Sequence, residues 1–362
     1  MPFSHHNKII PLLLALVFIM TTGQGCFIKF KKKEIPKTFD GGMYKSLDQG
    51  ETWTQSSDVL SIKGGVKFNS INVLDVIFDP QDNSTIYALT EGDGVYYSID
   101  QARSWLPITS LGKIVADIVV DPKDKCNVYA VMANKAMKSI DCLRTFTEIF
   151  HTDTTSKQLI TVAVDAKNSR VISAATSSTI YKSTDGGESW RIATNLSGGI
   201  RDLRYRFVGG NQILYVLTDS NYVYKSSDQG ETWESIGESM KRLRGSEHPV
   251  DFSFDDSGPD SLIYVYAKGV LRSSDGGKTW SSVNLISSPS PVSSFSVSPN
   301  NKNLIFYTTS TTLYRSDDGG QNWTTKTLPT GARVAKKMIF DKINPKLVYM
   351  LSGQPTVTAK TK

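Results

Sequence analysis

The chain is short of the residues that usually hold metals or attack substrates. Its 362 residues include only three cysteines and four histidines. His5 and His6 fall near the N-terminus, which leaves His151 and His248, far apart in sequence. That scarcity gives no support to a metal site, a nucleophilic triad or a cofactor. No glycine-rich phosphate loop follows a strand and opens a helix, which removes nucleotide sites of that kind. Charge is nearly balanced, with 41 Lys and Arg against 35 Asp and Glu, a formal +6. An excess so small makes nucleic acid an unexpected partner. The single long apolar run, Ile9 to Met20, is too short to favour a membrane-spanning helix. Disorder is excluded as well, because 39% of residues are hydrophobic and 10% aromatic.

What the chain does have is a repeat. All six tryptophans end the same eight-residue box, Ser-x-Asp-x-Gly-x-x-Trp. It runs from Ser46 through Asp48 to Trp53, and returns complete at Asp185 and Trp190, Asp228 and Trp233, Asp275 and Trp280, and Asp318 and Trp323. The copy with Asp100 and Trp105 replaces glycine with Ala102. The copy with Asp141 has lost both glycine, now Leu143, and tryptophan, now Phe146. Successive aspartates are 52, 41, 44, 43, 47 and 43 residues apart. That period is the length of a four-stranded propeller blade.

The stretch from Val73 to Trp105 shows the unit. A strand at Leu74 to Phe78 ends at Asp79-Pro80, and a turn leads to Thr85 to Leu89. Gly92-Asp93-Gly94 turns into Val95 to Ser98, and the box turns the chain into a short outer strand. First strands are expected near Leu74, Ala116, Ile160, Leu203, Val250, Ser293 and Lys336. The third strand and box also occur seven times, but out of phase. The chain opens with a third strand and box, at Met43 to Trp53, and ends with a first and second strand, at Lys336 to Leu351. The fold class is therefore all-β, a single seven-bladed propeller over residues 40–352. One composite blade joins strands from both ends and removes exposed edges.

Within the box the aspartate is expected to accept backbone N–H groups, and glycine to supply a conformation that strains other residues. The indole is expected to fill the gap between sheets. Seven equivalent copies imply a structural role for the box.

Residues 1–25 read as a signal peptide, with a short basic start, an apolar run and a small-residue exit. Gly25-Cys26 resembles a bacterial lipoprotein cleavage site, with Cys26 as the lipidated residue. Removing residues 1–25 removes Lys8, so the formal charge falls from +6 to +5. Residues 26–39 form a basic tether with Lys29, Lys31, Lys32, Lys33 and Lys37 against Glu34. It reads as an attraction to an anionic leaflet, worth about 1 kcal/mol per charge, or as a solvated linker. Residues 353–362 form a polar tail. The protein is expected to be exported, lipid-anchored at the cell membrane, facing the periplasm or cell exterior, and monomeric.

The repeats resemble Asp-box, or bacterial neuraminidase, repeats. Such repeats occur in sialidases, in xyloglucan-cleaving glycoside hydrolases with the sortilin luminal domain, and in photosystem II assembly and stability factors. Sialidases carry an Arg-Ile-Pro motif, whereas this chain has Glu34-Ile35-Pro36 in the tether. The large glycoside hydrolases set two propellers around a cleft, and this chain has one. The assembly factors are single, exported, seven-bladed rings, and the resemblance in size and layout points to them. It implies a binding or assembly role.

Aligning the first strands gives a ring position at Asp75, Asp117, Thr161, Arg204, Asp251, Ser294 and Lys337. Alternation places it away from the apolar core, near the mouth of the central channel. One blade departs sharply, with Arg201, Asp202, Arg204 and Arg206. Its guanidinium groups suit a carboxylate-bearing partner, or are neutralised internally by Asp75, Asp117 and Asp251. Arg242 and Arg244, in the longest late link between blades, extend the patch or sit on a solvated loop. Asp75, Asp117 and Asp251 are the candidates for acid–base chemistry on a glycan. Cys126 and Cys142 lie eight residues either side of Asn134, where two antiparallel strands turn. That placement predicts a disulfide, which persists in an exported protein.

The reading is a non-catalytic binding or assembly propeller. It recognises a membrane protein or protein complex through Arg201, Arg204, Arg206, Arg242 and Arg244. The alternative is a carbohydrate-active propeller that binds or cleaves a polysaccharide.

Overall fold

Runs of β-branched and aromatic residues become strands where Gly, Pro, Asn or Asp ends them. A computed structural model describes residues 41–60, 67–220, 222–286, 290–332 and 334–353. The expected signal peptide, Cys26, the basic tether and all of the expected tail except Gly353 lie outside the described residues. In the first blade, Val73–Phe78, Ile86–Thr90, Val95–Ser98 and Ser104–Pro107 pair in sequence order, each antiparallel to the next. Blades two to six repeat the pattern over residues 117–151, 161–195, 200–235, 249–282 and 292–327. Blade seven joins Ala335–Phe340 and Val348–Ser352 to Gly42–Ser46 and Thr54–Ser56. Gly42 faces Ser352 and Ser46 faces Val348 in that closing pair. The ring is an all-β, seven-bladed propeller. One pairing was not foreseen: Asp58–Val59 runs parallel to Ser104–Pro107, so the link out of blade seven is stitched to the edge of blade one.

Neighbouring sheets meet face to face, and their buried side chains form one apolar cluster per interface. Between blades four and five, for example, Tyr215, Leu217 and Val223 pack against Phe252, Leu262 and Tyr264. Burying one such aliphatic or aromatic side chain stabilises the fold by about 1.5–3 kcal/mol.

The box hydrogen bonds repeat around the ring. Each box serine accepts the N–H four residues on, as from Gly50 at 2.7 Å and Gly277 at 2.8 Å, and donates to its aspartate. The aspartate accepts the backbone N–H of the residue before the tryptophan position, and also that residue's side chain. Those residues are Thr52, Ser104, Thr145, Ser189, Thr232, Thr279 and Asn322. Sequence reading left this seventh position open, although it carries a hydroxyl or an amide every time. Burial alone would raise Asp48, but hydrogen bonds from Thr52 and Ser46 hold it at about 2. Hydrogen bonds from Thr279 hold Asp275 at about 2 as well.

The fourth box residue anchors the hairpin. In every blade but the fourth its N–H donates to the turn between the first and second strands, as from Gln101 to Ser84 and from Gly186 to Arg170, both 2.9 Å. In blade two that contact is Cys142 to Cys126, and the same two residues form a disulfide. The degenerate box keeps the backbone path of its siblings. Leu143 adopts φ 74° where Gly187 adopts 101°, and Ala102 adopts 61°. Such left-handed angles strain a residue with a side chain.

The indoles behave less uniformly than expected. Trp105 alone is fully buried; it stacks on Phe68 at 4.2 Å and donates to Ser56 at 2.8 Å. The other five are partly buried, and each packs against the apolar cluster shared with the preceding blade, as expected of a gap-filling ring. Trp190 stacks on Phe150 of the preceding blade, while Trp280 and Trp323 donate to carbonyls of Ile236 and Asn284.

A second girdle was missed in the sequence. The residue before each box serine is Lys45, Tyr97, Lys138, Lys182, Lys225, Arg272 or Arg315. Four of these donate to the fourth box residue of the next blade, as Lys45 does to Gln101 at 2.8 Å and Arg315 to Gln49 at 3.2 Å. Lys182 instead meets Glu231 of the next box at 2.8 Å. Arg272 turns back to Asp255 of its own blade.

Candidate channel and link face

Inner strands run from the end that carries the inter-blade links to the end that carries the boxes. A step in register near the start of most of these strands separates the first paired residue from the ring position. Ring residues face Leu89, Val131, Ala175, Leu217, Val265, Thr308 and Leu351 of their second strands. By that register the ring is Asp75, Asp117, Thr161, Asp202, Asp251, Ser294 and Lys337.

Blade four is thus read two residues out of step in the sequence. Asp202, not Arg204, takes the ring position, and Leu203, not Tyr205, takes the buried core position. The cause lies at the other end of the strand. Blades one, two, three, five and seven end it on a buried aspartate that accepts N–H groups of the following turn: Asp79, Asp121, Asp165, Asp255 and Asp341. Blade four has Arg206 there, then a tight Gly209-Gly210 turn, so the marker that sets the register is gone.

Arg206 therefore leaves the proposed patch. It is buried, stacks over Phe254, and donates to the carbonyls of Asp255, Gly258 and Ser261 at 2.7–3.1 Å. It braces the inner hairpin of blade four against the turn of blade five, at the box end. Unpaired carbonyls in that turn would be costly, and five guanidinium donors satisfy several at once.

Around the ring each aspartate accepts the next N–H of its own strand: Val76, Ile118 and Leu203 at 2.8 Å, and Phe252 at 3.0 Å. Asp117 also accepts Thr161 Oγ1 at 2.8 Å and Val162 N–H at 3.0 Å, tying blade two to blade three. Ser294 does the same for blades six and seven, accepting Met338 N–H at 2.9 Å. Lys337 donates to both oxygens of Asp75, at 2.7 and 3.0 Å. Arg204 reaches Asp202 at 2.5 Å and, across the ring, Asp75 at 3.8 Å, and donates to Phe252 O. Internal neutralisation of Arg204 is thus what the geometry shows, with Asp202 and Asp75 as the acids.

These groups line a cavity of about 1070 Å³ along the axis. Burial raises Asp75, but Lys337 and Arg204 outweigh it and hold its carboxyl below the ordinary range. Burial lowers Arg204, yet Asp202, Asp75, Asp251 and Asp117 together raise it further. Asp117 goes the other way: burial, and then the charge of Asp202, pushes it up to about 7. Its pKa suits a general acid, but its oxygens already hold backbone and hydroxyl donors. Both ring cations, Lys337 and Arg204, are already paired with Asp75 and Asp202, which makes the ring unsuited to a free anion.

At the link end, Ile236 and Met240 bury the start of the loop between blades four and five, and Ser246 donates to Met240 O at 2.8 Å. Tyr264 holds the same loop through Ser246 O. On this pinned loop Arg242 and Arg244 are exposed, with no hydrogen-bonding or ion-pair partner among the described residues. Arg201 rises beside them, donating to Pro249 O at 2.6 Å and standing 3.4 Å from Asp219. The structure therefore divides the five arginines: Arg201, Arg242 and Arg244 at the link end, Arg204 in the channel, Arg206 at the box end. No cluster of acids, histidines and cysteines fit to hold a metal occurs among the described residues.

Comparisons with known proteins agree on the architecture. Residues 268–362 match the family described as sortilin, neurotensin receptor 3, and residues 152–305 match the DUF6242 beta propeller domain. No curated protein matches the chain. Among solved structures, the GH74 enzyme of Niastella koreensis is 22% identical with a TM-score of 0.64; the match covers 83% of this chain and 53% of the enzyme. This chain thus spans about half that enzyme's length. YCF48 bound to D1 peptide is 14% identical with a TM-score of 0.58, and the match covers 78% of this chain and 93% of that one. The extracellular domain of a one component system of B. thetaiotaomicron is 10% identical, with a TM-score of 0.55 and coverage of 82% and 38%. The chain is a seven-bladed Asp-box propeller, a fold shared by glycoside hydrolases and by a peptide-bound propeller alike.

Proposed function

We propose that this propeller is a non-catalytic, exported binding module that recognises a protein partner at a membrane surface. The observation that carries the reading is the contrast between the two sets of charges. The ring carboxylates are taken up by strand N–H groups, Lys337 and Arg204, whereas Arg242 and Arg244 stand exposed and unpaired on a rigid loop beside Arg201. Binding residues commonly sit on loops held by a rigid scaffold, and exposed guanidinium groups suit carboxylates on a partner. YCF48, solved with a peptide, supports protein recognition by this fold. Export is supported by the Cys126–Cys142 disulfide, because such bonds persist outside the cytoplasm. Anchoring through Cys26 and a monomeric state complete the proposal.

The test is capture from source membranes by crosslinking and mass spectrometry, with wild type beside Arg201→Glu/Arg242→Glu/Arg244→Glu. Arg204 and Arg206 are left intact, since reversing either would strip partners from buried groups. A dominant protein lost in the variant supports the reading, and the same protein captured equally by both removes these arginines from it. A second reading, polysaccharide cleavage, rests on the raised pKa of Asp117 beside Asp202. Glycan hydrolysis by the wild type that vanishes in Asp117→Asn, with folding retained, would favour it.

A further inference from the structure

The second residue of the box sits at the tip of each box hairpin, and the ring symmetry places all seven tips on one face. In blades three to six this residue is Thr184, Ser227, Ser274 or Asp317. In the three consecutive blades seven, one and two it is Leu47, Ile99 and Ile140, which are 64%, 62% and 71% exposed. Ile343, on the adjoining turn of blade seven, is 76% exposed. Apolar tips are not needed for the fold, because four blades build the same hairpin with hydroxyl or acid tips. Phe207 is also exposed at this end, but it lines the channel and packs under Lys167.

Each apolar tip has an exposed cation in its own corner. Arg103 and Arg144 lie in the boxes of Ile99 and Ile140, and Lys346 receives the Gln49 N–H through its carbonyl beside Leu47. None of these three cations has an ion pair among the described residues. The box position of Arg103 and Arg144 holds Glu51, Glu188 and Glu231 in blades seven, three and four, Lys278 in blade five and Gln321 in blade six; Glu51 is paired with Arg315 and Lys326. None of the four aliphatics lines the central channel or the groove between blades five and six.

We propose that the box face of blades seven, one and two docks on an anionic lipid bilayer. Separate apolar tips on one face of the ring, each with an unpaired cation in its corner, suit a flat, fluid, negatively charged surface. A protein groove would instead call for a contiguous ridge. The inference stands independently of partner binding, which uses the opposite end of the ring.

The strands that close the ring lie within residues 42–352, so residues 39–362 can be made without the anchor and sedimented with vesicles. Binding is expected to phosphatidylcholine vesicles containing phosphatidylglycerol, not to phosphatidylcholine alone, and to weaken with added salt. Leu47→Ser/Ile99→Ser/Ile140→Ser should lower the binding constant at least about tenfold with an unchanged melting temperature. Ile114→Ser, an equally exposed aliphatic at the link end, should leave binding unaltered. Three results would overturn the proposal: no binding of the wild type to anionic vesicles, full binding by the triple variant, or an equal loss in Ile114→Ser.

Discussion

The two ends of the ring are built on opposite plans. At the box end, seven hairpins use the same serine, aspartate and hydroxyl or amide contacts, and most are clamped to the next blade by a lysine or arginine. At the link end the connections differ: one carries a stitched strand at Asp58–Val59, another is a pinned arginine loop. Repetition marks what the fold requires seven times over, and variation marks what it does not require at all. Stability should therefore respond to changes at the box end, and recognition to changes at the link end.

The largest expected effect tests the box end itself. Trp105→Ala should cost about 3–5 kcal/mol in chemical unfolding, because a fully buried stacked ring leaves a cavity. Trp323→Ala, whose ring is only partly buried, should cost clearly less. Equal losses would mean that the indoles act as a set and not through local burial. Next comes blade two, where a covalent link reinforces the hydrogen bond used elsewhere. Cys126→Ser/Cys142→Ser opens a loop of 16 residues and should cost about 3 kcal/mol in the same measurement. No loss would show that the bridge only decorates an already sufficient hairpin.

Acidity should separate the two regions further. Box aspartates such as Asp48 and Asp275 are depressed to about 2, so their contribution is present above the unfolded value, about 4, and fades as pH falls towards 2. Asp117 has the opposite sign. Its folded pKa is raised to about 7, so its contribution is present below pH of about 4 and is lost as pH rises through 7. Melting temperatures between pH 4 and 8 should therefore climb more steeply, or decline less, in Asp117→Asn than in the wild type. Parallel curves would remove Asp117 as the titrating group. The smallest stability effect is expected for Arg201→Glu/Arg242→Glu/Arg244→Glu, whose melting temperature should stay near that of the wild type.

The box end was legible because it is written in side chains at a fixed period. Ser46, Asp48 and Trp53, and their copies, set the blade count, and the phase of the third strands predicted the composite blade. The cation girdle, with Lys45 and Arg315 among its members, stood in plain view one residue upstream. It went unread because its acceptors are backbone carbonyls, which leave no residue signature. The ring was legible wherever a turn aspartate such as Asp79 or Asp341 marked the strand end. It slipped at Arg204 because Arg206 and a two-glycine turn replaced that mark. The division of the arginines could not be read at all, since opposite ends of one nine-residue strand look adjacent in sequence.

The closing pair of strands also orders the protein in time. Gly42–Ser46 finds its partner only at Val348–Ser352, more than 300 residues later. Until that partner is available, the first strand has an open edge, and blade seven cannot exist. Pairing over such a separation is slow to form. If the chain is exported unfolded, as proposed, that delay keeps the ring from locking before its last strand has arrived.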